Sequence, residues 1–200
     1  MIPKILHFVW VGDPEKLPRE QINSWIRLNR SYEVNVWTDK ELDTQPWALK
    51  KHIESIYDIE LCGVADMMRY EIVYNFGGIA LDADSKCVRS LDDHLLEPGE
   101  FFCWENEKER PGLIATAVMA GERYSDFFAE LVNRLYEKES VVKERAWRTT
   151  GPTHVTDTYN AVSNHITIYP SHYFIPNHFR SEGYKGTGPV YCTQDWGSTV

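Results

Sequence analysis

The chain opens on a near-continuous apolar run, Lys4 to Val11 (KILHFVWV), closed by Gly12. A half-exposed strand would alternate, so unbroken apolarity of this length suits a strand buried on both faces of a parallel sheet. Pro18 then stands where a first helical turn tolerates it. Ile22, Trp25 and Ile26 recur at helical spacing, which predicts a helix to about Asn29. Val34 to Trp37 reads as a second short strand and Trp47 to Tyr57 as a helical stretch. Val64 to Phe76 reads as a longer helix, with Met68, Ile72 and Phe76 on one face and Gly77-Gly78 as its stop. After the strand-like GGIALDAD, Glu100 to Trp104 and Leu113 to Met119 read as further strands, and Phe128, Leu131 and Leu135 mark a helix. A last helix is expected with Thr150 as its cap, Pro152 in its first turn and Val155, Tyr159 and Val162 as its buried stripe. Strands alternating with helices predict an α/β domain with a mostly parallel sheet, in which ligands bind beyond the carboxyl ends of the strands.

The segment Gly77 to Asp84 places two carboxylates, Asp82 and Asp84, two residues apart at the end of such a strand. Side chains alternate across a strand, so both acids are expected beside Ala80, with Ile79, Leu81 and Ala83 on the other face. Paired hard oxygen ligands suit Mg²⁺ or Mn²⁺, ions that keep open positions for a substrate phosphate.

Length and composition narrow the class. The 200 residues carry no Pro-, Gly- or Ser-rich linker and fit one domain. Seven Trp and eleven Tyr supply flat apolar faces of the kind sugars and nucleobases stack on. A net charge of −9 argues against nucleic-acid partners, which require clustered Lys and Arg, so an anionic substrate needs a local metal or arginine. Cys62, Cys87, Cys103 and Cys192 show no CxxC spacing, which favours reduced thiols, a cytoplasmic location and no structural zinc. No apolar run reaches the roughly 18 residues of a membrane span, and peripheral membrane contact is left open. His172 and His178 lack the spacing of a helical zinc pair, and His7 inside the first strand reads as a satisfied core residue. Neither a GxSxG nor a Gly-rich phosphate loop ending in Lys-Ser or Lys-Thr occurs.

Three segments in order, IPKILHFVWVG, ADMMRYEIVYNFGG and IALDAD, resemble the glycosyltransferases with a DxD sugar-binding region. These are the proteins related to yeast initiating mannosyltransferases, bacterial capsular-polysaccharide enzymes and the clostridial glucosylating toxins. The resemblance runs from Met1 to about Asp93, with weaker echoes at Thr150 to Thr153 (TGPT) and Gln194 to Ser198 (QDWGS). It implies a Rossmann-like GT-A domain over residues 1–200. The nucleotide-sugar half would occupy about 1–93, and acceptor-side and closing segments about 94–200.

The implied reaction is metal-dependent, retaining transfer of a hexose from a UDP- or GDP-sugar to a glycan or other hydroxyl acceptor, as in surface polysaccharide synthesis. By that resemblance Asp84 binds Mn²⁺ or Mg²⁺ directly, and Asp82 contacts the donor ribose and supports the metal. Asp66 and Arg69, three apart on the preceding helix, hold hydroxyls of the donor sugar. Trp10 stacks on the base between Val9 and Val11, and Trp196 and Ser198 close over the diphosphate.

The chain departs from the pattern at two places. Ala80 stands where many relatives carry Tyr, and Gln194 with Asp195 stands where relatives often carry a His, so Asp195 becomes the candidate third oxygen ligand. Two other readings fit the same residues: a nucleotide-sugar-binding protein without turnover, and a haloacid-dehalogenase-like phosphatase using IALDADS with Asp82 as nucleophile.

Overall fold

The opening apolar run becomes β1 (Ile5–Val9), and the sheet is laid on either side of it. The computed structural model describes residues 1–162, 166–178 and 182–194. After β1 come α1 (Arg19–Leu28), β2 (Glu33–Trp37), α2 (Asp39–Thr44), α3 (Lys50–Ile56), α4 (Leu61–Phe76), β3 (Gly78–Leu81) and β4 (Ser85–Cys87). The second half holds β5 (Glu100–Asn106), β6 (Arg110–Ile114), β7 (Val118–Gly121), α5 (Asp126–Tyr136), α6 (Ala146–Thr149), α7 (Pro152–Ala161), β8 (Thr167–Tyr169) and β9 (Cys192–Gln194).

The main sheet has the order β2-β1-β3-β7-β5-β6, with β8 also paired to β5. β1, β2 and β3 are mutually parallel, β7 is antiparallel to both β3 and β5, and β8 is parallel to β5. The reversed β7 therefore restores the common direction, and β1, β2, β3, β5 and β8 run one way while β6 and β7 run the other. The single strand expected over Leu113 to Met119 is two strands. β6 and β7 follow one another along the same edge of β5 (Trp104↔Ile114, then Phe101↔Ala120), β8 takes its other edge, and β7 pairs with β3 as well. The register along this edge of β5 shifts between the two strands, and the chain bends over Ala115 to Ala117. There it is held by Ala115 N–H on the Cys103 carbonyl (2.9 Å) and by Asp82 N–H on the Ala117 carbonyl (3.0 Å).

The sheet is buried on both faces, which is why its strands read as unbroken apolar runs. Ala80 and its partner Met119 face one core with Val9, Trp37, Phe102 and the helices α3, α4, α5 and α7. Ile79, Leu81 and their partners Ala120 and Val118 face the other core, with Trp25, Phe101, Phe174 and Tyr191. α4 is buried nearly all round, from Gly63 to Val73. Phe76, expected on its buried stripe, is 45 % exposed at the last turn, where its ring lies 5.2 Å from that of Trp37. The buried carboxylate of Glu71 accepts from the N–H groups of Ala48 (2.7 Å) and Leu49 (2.8 Å), and so fixes the entry of α3 against α4.

Helix ends follow local chemistry. α2, which was not anticipated, begins with a capping box in which Thr38 and Glu41 satisfy each other's backbone. At α7 the N-cap is Gly151, and the Thr150 hydroxyl instead donates to the Ala146 carbonyl (3.1 Å) and reaches Asp66 (3.5 Å). Gly77 (φ +66°) and Gly78 (φ +104°) make the turn from α4 into β3, where no L side chain fits comfortably. A Cβ on Gly78 would lie 2.7 Å from the Ile5 carbonyl oxygen and 3.0 Å from His7 Nε2. His7 is a satisfied core residue, accepting from Trp37 Nε1 at Nδ1 (3.2 Å) and donating from Nε2 to the Gly77 carbonyl (2.8 Å).

Two outcomes follow from this packing. Gly78→Ala lowers the urea midpoint by an amount equivalent to about 3 kcal/mol, because it adds positive-φ strain to a backbone clash. His154, 4 % exposed, is pushed down to about 4 from an ordinary 6.5 by burial and then by Lys138. The unfolded chain therefore takes up this proton at a higher pH than the fold does. Stability present above pH 6.5 is lost as pH falls through about 4, by about 3 kcal/mol, and His154→Gln flattens that part of the stability–pH curve.

Candidate active site

The strand alternation that puts Ala80 toward α4 also aims Asp82 that way, and there it meets Arg69. β3 ends at Leu81, so the two acids do not share a strand face as the sequence suggested. Asp82 lies just beyond the strand and Asp84 inside a tight turn closed by Ser85 N–H on the Asp82 carbonyl (3.0 Å). The Ser85 hydroxyl donates to the same carbonyl (2.6 Å), and Trp25 Nε1 donates to the Ser85 carbonyl (3.0 Å). α1 thereby pins the acidic turn from the opposite face of the sheet.

Arg69 joins three parts of the fold. Nη2 donates to Asp66 Oδ1 (2.7 Å) one turn earlier on α4, while Nη1 donates to the Thr116 carbonyl (2.9 Å) in the bend and to Asp82 Oδ1 at the acidic turn. The side chains of Arg69 and Asp66 are 5 % and 6 % exposed, whereas that of Asp82 is 35 % exposed, so the ion triad is dry at one end and open at the other. Burial pushes the Asp66 carboxyl up to about 6, opposed by Arg69 and reinforced by the negative charge of Asp82. Burial also works against the Arg69 charge, but the Asp82 and Asp66 carboxylates outweigh it and hold the guanidinium above its ordinary value. Gly151 presses on this lock from α7. A Cβ there would lie 3.0 Å from both Asp66 Oδ2 and Trp147 Cα.

Beside the triad, β1 delivers Trp10 to the same carboxyl edge. The indole N–H is spent on the Asp13 carbonyl (2.9 Å), which fixes the half-buried ring against the core that holds Trp25. Val9 and Val11 are 6 % exposed and belong to the α4-side core, so they present backbone at this edge. Sequence reasoning missed Gly12, Asp39, Tyr57 and Leu61. The Asp39 carboxylate accepts from Gly12 N–H (2.9 Å) and from the Tyr57 hydroxyl (2.5 Å), and the Asp39 bond pushes Tyr57 up to about 12. A Cβ on Gly12 (φ +93°) would lie 2.6 Å from Leu61 Cδ1. Leu61 and Tyr57 line an open groove of about 540 Å³ that extends to Cys62 and Arg145. The Thr38–Glu41 capping box and the glycine closing β1 were the signals that could have pointed here.

Asp195, Trp196 and Ser198 lie outside the described residues. The last described residue, Gln194, pairs with Ser85 across β4–β9, one position from Asp84. Its amide donates to the Phe174 carbonyl (3.1 Å), so Gln194 serves the fold. Asp82 and Asp84 are hard oxygen donors, as Mn²⁺ or Mg²⁺ prefers, and Asp82 commits only Oδ1 to Arg69. Among the described residues no group of three or more His, Cys, Asp or Glu is set to hold a metal, so any such ion needs further oxygens from outside them.

A mostly parallel sheet covered by helices, with one strand reversed beside an acidic turn at its carboxyl edge, is the architecture of a GT-A glycosyltransferase domain. The structure named PaToxG glycosyltransferase superposes with a TM-score of 0.62 at 15 % identity, over 81 % of this chain and 70 % of that one. The UDP-bound glycosyltransferase domain of the YGT toxin gives 0.56 at 9 % identity, over 80 % and 77 %. Residues 15–102 match the glycosyltransferase sugar-binding region containing the DXD motif, and the chain belongs to that family of glycosyltransferases. Inositol phosphoceramide mannosyltransferase 3 of Schizosaccharomyces pombe is 36 % identical over 141 residues, which is 67 % of this chain and 37 % of the relative. The chain thus spans little more than a third of that relative's length.

Replacing Arg69 tests the lock directly. Arg69→Met leaves Asp66 buried beside Asp82 without its counter-charge, and is expected to lower folding free energy by about 3–5 kcal/mol in urea titration. The double variant Arg69→Met/Asp66→Leu recovers part of that loss.

Proposed function

We propose that this chain binds a nucleotide diphosphate sugar at the carboxyl edge of β1 and β3 and transfers the sugar, with retention, to a hydroxyl acceptor. The observation that carries the reading is the Arg69 lock, which brings Asp66 from α4 and Asp82 from the acidic turn into one site beside Asp84. In this reading the base lies against the Trp10 ring, between the backbones of Val9 and Val11. Asp82 accepts from the ribose, and Asp66 with Arg69 holds hydroxyls of the sugar. Trp196 and Ser198 donate to the diphosphate. Asp84, with Asp82 and Asp195, holds Mn²⁺ or Mg²⁺, whose charge when bound offsets the negative charge that develops on the departing diphosphate.

The same chain residues define the reacting geometry. Because Arg69 and Asp66 are dry and mutually fixed, they orient the sugar without reorganising during the reaction, which is where such sites gain most. In this reading no described side chain serves as a covalent nucleophile, and Asp82, held by Arg69 through Oδ1, keeps Oδ2 for the ribose and the metal. The acceptor hydroxyl therefore attacks from the face the diphosphate leaves. A mannosyl donor and an inositol-phosphate-containing acceptor, suggested by the name of the fission-yeast relative, and a UDP-sugar, suggested by the UDP-bound toxin domain, are the first to test.

The test is Mn²⁺-dependent hydrolysis and transfer across a panel of UDP- and GDP-sugars. One donor is expected to turn over, and Asp84→Asn is expected to reduce kcat by about 10²-fold or more while the circular dichroism spectrum and melting temperature stay unchanged. Tight nucleotide binding with no turnover of any donor would replace the transferase reading by a binding one. Phosphate release from a phosphomonoester with Asp82 phosphorylated would replace it by a phosphatase.

A further inference from the structure

β4 and β9 form a separate ribbon of two three-residue strands, and their register sets Cys87 directly opposite Cys192. Val88 N–H donates to the Tyr191 carbonyl (2.9 Å), so Val88 and Tyr191 are a hydrogen-bonded pair. The next pair along, Cys87 and Cys192, is then of the non-hydrogen-bonded kind, in which side chains lie on one face and Cα atoms are about 4.5 Å apart. That separation falls within the roughly 4.4–6.8 Å a disulfide spans. Both cysteines are free thiols in the structure and both are buried. Cys87 Sγ faces the Arg89 carbonyl at 3.2 Å and Cys192 Sγ the Phe174 carbonyl at 3.2 Å, so joining them gives up only weak S–H bonds. Cys103, buried on β5, is the competing thiol, while Cys62 is exposed at the start of α4.

We propose that Cys87 and Cys192 are a redox-sensitive pair whose disulfide latches β9 onto β4 beside the acidic turn. The oxidant is a small disulfide such as oxidised glutathione. The Cys87 thiolate attacks one of its sulfurs and releases one small thiol. The Cys192 thiolate then attacks the Cys87 sulfur and releases the second, and the two cysteine protons leave on the two small thiols. Burial holds both thiols well above their ordinary range, Cys87 at about 11, so reaction requires the short ribbon to open first. The ribbon has only three residue pairs, and local unfolding of β9 from β4 provides that opening.

The latch fixes where the chain leaves β9, because Gln194 is held opposite Ser85. Its effect on turnover rests on the reading above that the residues after Gln194 close over the diphosphate, whereas the disulfide itself does not. The intact protein is equilibrated with oxidised glutathione, and thiols are titrated before and after dithiothreitol. Peptide mass mapping then assigns the linkage. Titratable thiols are expected to fall from four to two, with a Cys87–Cys192 linked peptide. Cys87→Ser and Cys192→Ser prevent the linkage, and Cys103→Ser does not. Oxidation lowers the donor KM severalfold in the wild type and leaves Cys87→Ser unaffected. A Cys103–Cys192 linkage, or four persistent thiols, overturns the pair. A Cys87–Cys192 linkage with an unchanged donor KM overturns the latch. Because the linkage is read by mass, an absence of sugar transfer does not obscure it.

Discussion

A single buried arginine sets the position of everything else at the carboxyl edge. Three elements remote in sequence, the middle of α4, the bend between β6 and β7 and the turn after β3, are joined through the guanidinium of Arg69. A buried charge is costly unless it is paired and hydrogen-bonded, and the two carboxylates with one carbonyl supply that pairing. The same pairing makes the site rigid, since no member can shift without exposing another's charge.

The rest of the architecture serves that arrangement. The chain bends at Ala115 to Ala117 between β6 and β7, and the bend supplies the Thr116 carbonyl that Arg69 needs. Burial of α4 nearly all round, with Glu71 tying α3 to it, removes the freedom that would let Asp66 and Arg69 drift. Trp25, on the far face of the sheet, holds the acidic turn through Ser85, so both cores contribute to the position of Asp82 and Asp84.

Much of this could be read from the residues, because the relevant forces are local. The apolar run of β1, the helical spacing of α4 and the glycine pair after it announce themselves through periodicity and backbone preference. The bend at Ala115 to Ala117 did not, since Leu113 to Met119 is apolar but for Thr116 and reads as one strand, and only its change of register against β5 divides it. Asp39 was also hidden. Its partners Gly12 and Tyr57 lie 27 and 18 residues away, and no local spacing encodes such a contact. Thr150 misled for the opposite reason: a good capping residue next to a helix was recruited by Asp66 and Ala146 instead.

The unequal burial of the acids bears on how such a site would decay over evolutionary time. Asp66 lies at the dry end of the ion triad and is tied to the folding of the chain, so a descendant that abandoned catalysis would still be under pressure to keep it with Arg69. Asp84 sits half-buried on the turn beyond that triad. Among descendants of this chain, persistence of Asp66 and Arg69 therefore records that the protein still folds, whatever has become of its chemistry.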